Sequence, residues 1–379
     1  MAHQVQRPER LPPDPILIAT GVALTAFGVV MVFSASAVFA SESRFTGHSP
    51  YYFLVRQAVY AAIAFPCLLL AAFMPASLWR RLAYPSFWVS IGLMLATLFI
   101  GRRVGGAIRW LEFGPVRIQP AEFAKVALIL ALSHSLAKKT PEQMRSFRVG
   151  VLPHLLLMAP LAFLSWLQND LGSALLMAFL TFAMLFLAGA RLGPMLLTLG
   201  GAGFLAWIAV RSSPWRWARI QAFLDPFRYR QSAGYQIVES MLGFGAGGWW
   251  GVGLGDSRQK LFFLPEAHTD FIGAIVGEEL GWFGVLGLVC AYLLLVFRGL
   301  RIAWRSLNPH GLYLGAALTL LIGASAFANL AVAMGLLPTK GLALPFVSYG
   351  GSSLFASSIA VGILASLSRD LPQPLPVRR

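Results

Sequence analysis

Cysteine, charge and periodic repetition are what this 379-residue chain has least of. Its two cysteines, Cys67 and Cys290, both fall inside apolar runs, which reads as two small core hydrophobes rather than a disulfide or a metal pair. Only 12% of the residues are charged. No segment repeats at a fixed period, which argues against solenoids and propellers, and no ligand spacing demands a bound metal. The alternating polarity of a β-barrel strand is missing as well: runs such as Val126 to Leu132 are continuously apolar.

What is present is hydrophobic length. Apolar residues make up 57% of the chain, in uninterrupted runs near the ~20 residues that span a bilayer as a helix. The fold class is therefore all-α, a polytopic membrane protein. Ten transmembrane helices are expected at about 16–40, 53–73, 82–100, 119–137, 149–167, 171–189, 193–210, 268–297, 311–336 and 346–368, with a long extracytoplasmic loop between helices 7 and 8. The first run is longer than the ~7–15-residue core of a secretory signal, so it reads as a retained helix. A single membrane domain, 1–379, accounts for the chain, with short Pro-rich tails expected to be disordered at about 1–14 and 370–379.

Ten crossings put both termini on one side. Arg80, Arg81, Lys138, Lys139, Arg145, Arg148, Arg191, Arg298, Arg301 and Arg305 outnumber the cations of the opposite short loops, which makes the termini cytoplasmic. Against that rule, the loop at about 211–267 carries Arg211, Arg216, Arg219, Arg228, Arg230, Arg258 and Lys260, and the loop after the third span adds four arginines. Such cations suit an anionic ligand, because guanidinium forks match phosphate oxygens; a long translocated loop also tolerates charge without any ligand. The net charge of +15 is divided between the two membrane faces with no soluble basic domain, which favours lipid headgroups and excludes nucleic acid as the partner.

Ionisable residues inside or beside the spans mark candidate sites. Glu122 and Lys125 are three apart on one helix face, as a structural ion pair or as a pair lining a cavity. Asp170 precedes the sixth span, where it can cap the helix. His268-Thr-Asp270 opens the eighth span, where Thr269 or Asp270 can cap, and Glu278 and Glu279 lie deeper. Asp256 follows a glycine-dense run and precedes Arg258 and Lys260.

Nine segments in order resemble the motifs of the SEDS family: Gly106-Ala-Ile-Arg-Trp110, Gln119-Pro-Ala-Glu-Phe-Ala-Lys125, Asp170-Leu-Gly172, Asp225-Pro226, Gly234-Tyr-Gln236, the glycine run to Asp256, Leu264-Pro-Glu-Ala-His-Thr-Asp270, Gly277-Glu-Glu-Leu-Gly281, and Gly335 through Ser353. The resemblance covers nearly the whole chain. It implies a ten-helix peptidoglycan glycosyltransferase of the bacterial cytoplasmic (inner) membrane that polymerises lipid II with a class B penicillin-binding protein, the transpeptidase. Val30 to Ser36, Gly253 to Lys260 and Pro338 to Gly341 resemble the division branch, which works with other division proteins, more than the elongation branch. Asn169 stands where the family commonly has Pro.

The implied reaction is inverting: an acceptor 4-hydroxyl attacks C1 of the lipid-linked donor and undecaprenyl pyrophosphate leaves. One base plus cations can suffice, since pyrophosphate needs no protonation to depart. Asp256 is the expected general base, with Arg258 and Lys260 favouring its carboxylate. Substrate binding falls to Arg109, Glu122, Lys125, Asp170, Lys260, His268 and Ser348; Arg109, Lys125 and Lys260 are placed to offset pyrophosphate charge. Ser348-Tyr-Gly-Gly351 reads as an irregular start to the last span or as plain helix packing. A divalent cation, Mg2+ or Mn2+, is compatible with this chemistry. A lipid transporter with paired repeats, or a scaffold without chemistry, are the competing classes.

Overall fold

A computed structural model describes residues 11–370 except Gly105, Pro115 and Lys340. Each expected span is matched by a helix: α1 Pro15–Glu42, α2 Tyr52–Phe73, α3 Ala76–Ile100, α4 Pro120–Leu136, α6 Leu152–Leu167, α7 Leu171–Leu187, α8 Leu192–Arg211, α11 Ile272–Trp304, α12 Pro309–Ala333 and α13 Gly351–Arg369, with the one-turn α5 Pro141–Met144 between α4 and α6. Eight helical stretches among the described residues are long and apolar enough to cross a membrane. α4 and α7, of 17 residues each, fall short of that length. α4 lies inside the bundle, burying Ala124 through Ser133 without interruption against α3, α7 and α12, whereas α7 buries one face and leaves Leu175, Phe179 and Phe186 exposed.

Leu11 N–H donates to the Arg369 carbonyl, and Asp14 caps α1 through Ile16 N–H and Leu17 N–H while pairing with Arg298. Residues 11–14, expected as tail, are thus held in place, and both described ends of the chain lie at one end of the bundle. The remaining expected tail residues lie outside the described residues, apart from Asp370.

The opposite end carries the structure that hydropathy did not foresee. A three-stranded antiparallel sheet, β1 Arg102–Val104, β2 Ala107–Phe113 and β3 Val116–Ile118, joins α3 to α4. The long loop folds into α9 Pro214–Leu224 and α10 Tyr235–Gly247. At this end two starts move, α11 to Ile272 from 268 and α13 to Gly351 from 346, so residues 264–271 and the described residues of 334–350 remain irregular; at the other end α3 starts at Ala76 rather than 82.

α11 is broken at Gly281, whose φ of 65° and ψ of −162° are open to glycine alone. The break frees peptide groups that a bilayer cannot hydrate. Loop 248–253 supplies their partners: Val252 N–H and Gly253 N–H donate to the Glu278 and Glu279 carbonyls, and Trp282 N–H donates to the Gly248 carbonyl. The contact is close enough that a β-carbon at Gly251 would sit 2.1 Å from the Glu279 oxygen.

Candidate active site

The sheet, α9, the irregular strip before α11 and the loop before α13 enclose a cavity of about 630 Å³. Arg109 reaches it from β2, Glu122 from the first turns of α4, Trp215 and Arg219 from α9, Glu266, Thr269 and Asp270 from the strip, and Gly341 and Tyr349 from the last loop.

Asp270 is the acid this arrangement singles out. It does not cap α11, whose N-cap is Phe271 without a side-chain hydrogen bond, so its carboxylate is left to the cavity. Burial pushes its pKa up to about 7; Glu266 and Asp170 add to the rise, and Arg109 and Arg219 oppose it. A carboxyl in that range is half ionised near neutrality, which suits a general base.

Its backbone is held carbonyl by carbonyl. Tyr349 N–H donates to the His268 carbonyl, the Ser348 hydroxyl to that of Thr269 at 2.6 Å, and Asn329 Nδ2, from within α12, to that of Asp270 at 2.9 Å and of Leu342 at 2.7 Å. Asn329 thereby sets the spacing between strip and loop, and a β-carbon at Gly341 would lie 3.2 Å from Asp270 Oδ2 and 3.6 Å from an Arg109 nitrogen. Ser348, expected to bind substrate, is a fixing residue here, and Asn329 went unnoticed because one polar residue in an apolar run carries no motif of its own.

The other expected residues lie around and below this cavity. Asp256 is exposed on the glycine-rich loop and does not line the cavity. Lys260, expected beside it and free for pyrophosphate, is buried, donating to Glu279 Oε1 at 3.0 Å, to Ser34 Oγ at 3.4 Å and to the Gly255 carbonyl. Glu278 accepts from Arg258 N–H at 3.0 Å, Gln259 N–H at 3.2 Å and the Ser257 hydroxyl. Glu278, Glu279 and Lys260 thus anchor the glycine-rich loop that carries Asp256.

Asp170 caps α7 through Ser173 N–H and also accepts from the Ser173 hydroxyl and Gln119 Nε2. Glu122 and Lys125 are paired at 2.8 Å; Glu122 faces the cavity and Lys125 lies behind it, beside a cavity of about 20 Å³. His268 packs its ring against Phe39, Phe53 and Tyr349, and burial holds its pKa below the usual range. It is a packing residue at the cavity's edge. Among the described residues no three His, Cys, Asp or Glu side chains converge as metal ligands.

The expected cation excess also resolves. Arg102 and Arg117 pair with Glu112 at 3.0 and 2.8 Å, and Arg230 with Glu239 at 3.2 Å. Arg109 is left without a carboxylate within 4.0 Å, its guanidinium donating to the Asn169 carbonyl. Asn169, with φ of 59°, donates to the Gly106 carbonyl and accepts from Arg216.

A family model described as "Cell cycle protein", covering FtsW, RodA and SpoVE, matches residues 15–373. The probable peptidoglycan glycosyltransferase FtsW of Geobacter metallireducens (strain ATCC 53774 / DSM 7210 / GS-15) is 45% identical over 361 residues, 94% of each chain. That of Trichlorobacter lovleyi (strain ATCC BAA-1151 / DSM 17278 / SZ) is 42% identical over 379 residues, covering 98% of this chain and 97% of its own. Among solved structures, a chain from a peptidoglycan synthase complex that coordinates polymerization and crosslinking superposes with a TM-score of 0.79 at 30% identity, covering 96% of this chain and 100% of that one. The Rod shape determining protein RodA of Thermus thermophilus gives 0.70 at 29%, covering 96% and 99%. Sequence and fold agree over nearly the full length, and the chain belongs to the FtsW, RodA and SpoVE family of cell cycle proteins.

Proposed function

We propose that this chain is a peptidoglycan glycosyltransferase that polymerises lipid II at the outer face of the bacterial inner membrane, for septal wall synthesis in division. One observation carries the reading: a half-buried carboxyl with a raised pKa, Asp270, faces a cavity beside two guanidinium groups, Arg109 and Arg219. The names of the relatives at 42–45% identity support the division role over elongation.

We assign the general base to Asp270, which lines the cavity, in place of the expected Asp256, which lies exposed on the glycine-rich loop. In the proposed inverting step Asp270 takes the proton of the acceptor 4-hydroxyl as its oxygen bonds to donor C1. The C1–O bond to the diphosphate breaks, and the electron pair leaves on undecaprenyl pyrophosphate. Arg109 offsets the charge that grows on that leaving group.

In this reading the chain crosses ten times with cytoplasmic termini, as expected from the loop charges, and the cavity opens on the outer face, where the disaccharide is exposed. A class B penicillin-binding transpeptidase is the proposed partner, in keeping with the synthase-complex chain that this fold matches. The test is purified protein with its partner and lipid II, scored for glycan chains resistant to penicillin and sensitive to lysozyme. Lipid movement in vesicles without polymer would replace this reading with a transporter.

A further inference from the structure

Beside the main cavity lies a smaller one of about 70 Å³, bounded by the start of α7, by α9 and by the loop before α13. Three guanidinium groups border it, from Arg109, Arg216 and Arg219. Every hydrogen bond they make ends on a neutral oxygen. Arg109 donates to the Asn169 carbonyl, Arg216 to Asn169 Oδ1 at 3.0 Å and the Ala209 carbonyl at 3.4 Å, and Arg219 to the Thr339 carbonyl at 3.4 Å. Arg109 Nε is buried with no partner at all. Asp170 also borders the space, but its carboxylate is engaged by Ser173 and Gln119.

Converging cations without an ion-pair partner call for an anion, and forked donors from three directions suit one with several oxygens on adjacent centres. The opposite wall is apolar, formed by Leu171, Val210 and Ile220. It leads to α8, in which Met195 is the one buried residue, so that helix offers nearly all of its surface to its surroundings. A polar head against arginines and an apolar path along α8 together describe a lipid-linked diphosphate.

We infer that this pocket is a diphosphate subsite for the lipid carrier, and that α9 forms its movable wall through Arg216 and Arg219. α9 packs on the end of α8 and reaches the rest of the fold through polar contacts of Arg216 on Asn169 and Arg219 on Thr339, while within the helix the Trp215 ring stacks under Arg219 at 4.8 Å. An incoming diphosphate exchanges the weak neutral contacts of both arginines for charge-assisted ones and draws α9 inward over the cavity. The inference rests on the polymerase reading only for the identity of the carrier.

The test uses full-length protein in lipid nanodiscs, titrated with inorganic pyrophosphate and followed by calorimetry and melting temperature. Saturable binding and stabilisation are expected, with orthophosphate at matched ionic strength far weaker. Arg216→Gln and Arg219→Gln should each weaken pyrophosphate binding by about 10- to 100-fold. Arg219→Lys, which keeps the charge and loses the fork, should fall between, and the exposed Arg228→Gln should bind as the parent does.

Undecaprenyl pyrophosphate should displace inorganic pyrophosphate, and undecaprenyl monophosphate should not. Equal response to orthophosphate, unchanged binding in both glutamine variants, or failure of the lipid to compete overturns the subsite. A polymerase indifferent to pyrophosphate would remove the subsite and leave the polymerase reading intact. Pyrophosphate binding in a protein that makes no glycan would do the reverse.

Discussion

Asp270→Asn keeps the size of the side chain and removes its ability to take a proton. A positioned base contributes about 10²–10⁴-fold to rate, so chain formation should fall by that factor, roughly 3–5 kcal/mol on the barrier. The structure adds a pH signature. Burial is the largest cause of the raised carboxyl pKa, and Glu266 contributes in the same direction. With a midpoint of about 7, the parent rate should climb through neutrality and stand at roughly a tenth of its plateau one pH unit below the midpoint. Glu266→Gln removes a neighbouring negative charge, so the midpoint should move to lower pH.

Folding runs with the opposite sign. A carboxyl whose folded pKa exceeds its ordinary 3.8 favours the fold when protonated, and that contribution is lost as pH rises from about 4 through 7. Asp270→Asn carries no such loss, so at pH 8 it should melt no lower than the parent while being inactive. Initial rates of glycan formation between pH 5.5 and 8.5, with melting curves on the same preparations, measure both effects. Parent-level rates from Asp270→Asn, a flat profile across neutrality, or an equal loss in Asp256→Asn would refute the reasoning.

Lys260→Met should destabilise the fold by roughly 3–5 kcal/mol by stranding buried Glu279, and the double variant with Glu279→Gln should recover most of it, as read by melting temperature. A lone loss of substrate affinity in Lys260→Met, with no change in melting, would instead return that residue to the diphosphate. Asn329→Leu deletes both donors that tie strip to loop; stability should drop by about 1–3 kcal/mol and kcat about tenfold or more with KM little changed, measured by melting and steady-state kinetics. Asn169→Pro cannot adopt a φ of 59° and should lower stability by about 1–3 kcal/mol, whereas Asn169→Gly keeps the turn and loses only its side-chain bonds. Thermal melting separates the two.

Hydropathy located every long helix because burying apolar length in lipid is a local requirement, written residue by residue. It could not place α9 or the sheet, whose apolar residues are few and whose order depends on what they pack against. The same limit governed the choice of acid. Asp256 stands just before Arg258 and Lys260, and the family resemblance rather than spacing made it the expected base; Asp270 has no Lys or Arg near it along the chain. Folding adds what spacing could not show: Lys260 turns inward to Glu279, and residues far away in sequence, Arg109 and Arg219, stand near Asp270. Asp170 and Asp270 were equally good helix caps on paper, and only one of them caps.

Glycine density before Asp256 invites an expectation of suppleness, yet at the Gly281 interruption the same residues make a rigid joint. Gly247, Gly251 and Gly281 interlock where a methyl group would come within 2.0, 2.1 and 2.3 Å of backbone atoms across the seam. The seam welds the strip bearing Asp256 to a helix that runs the full depth of the bundle, so a load applied to that strip from outside is borne by the entire length of α11.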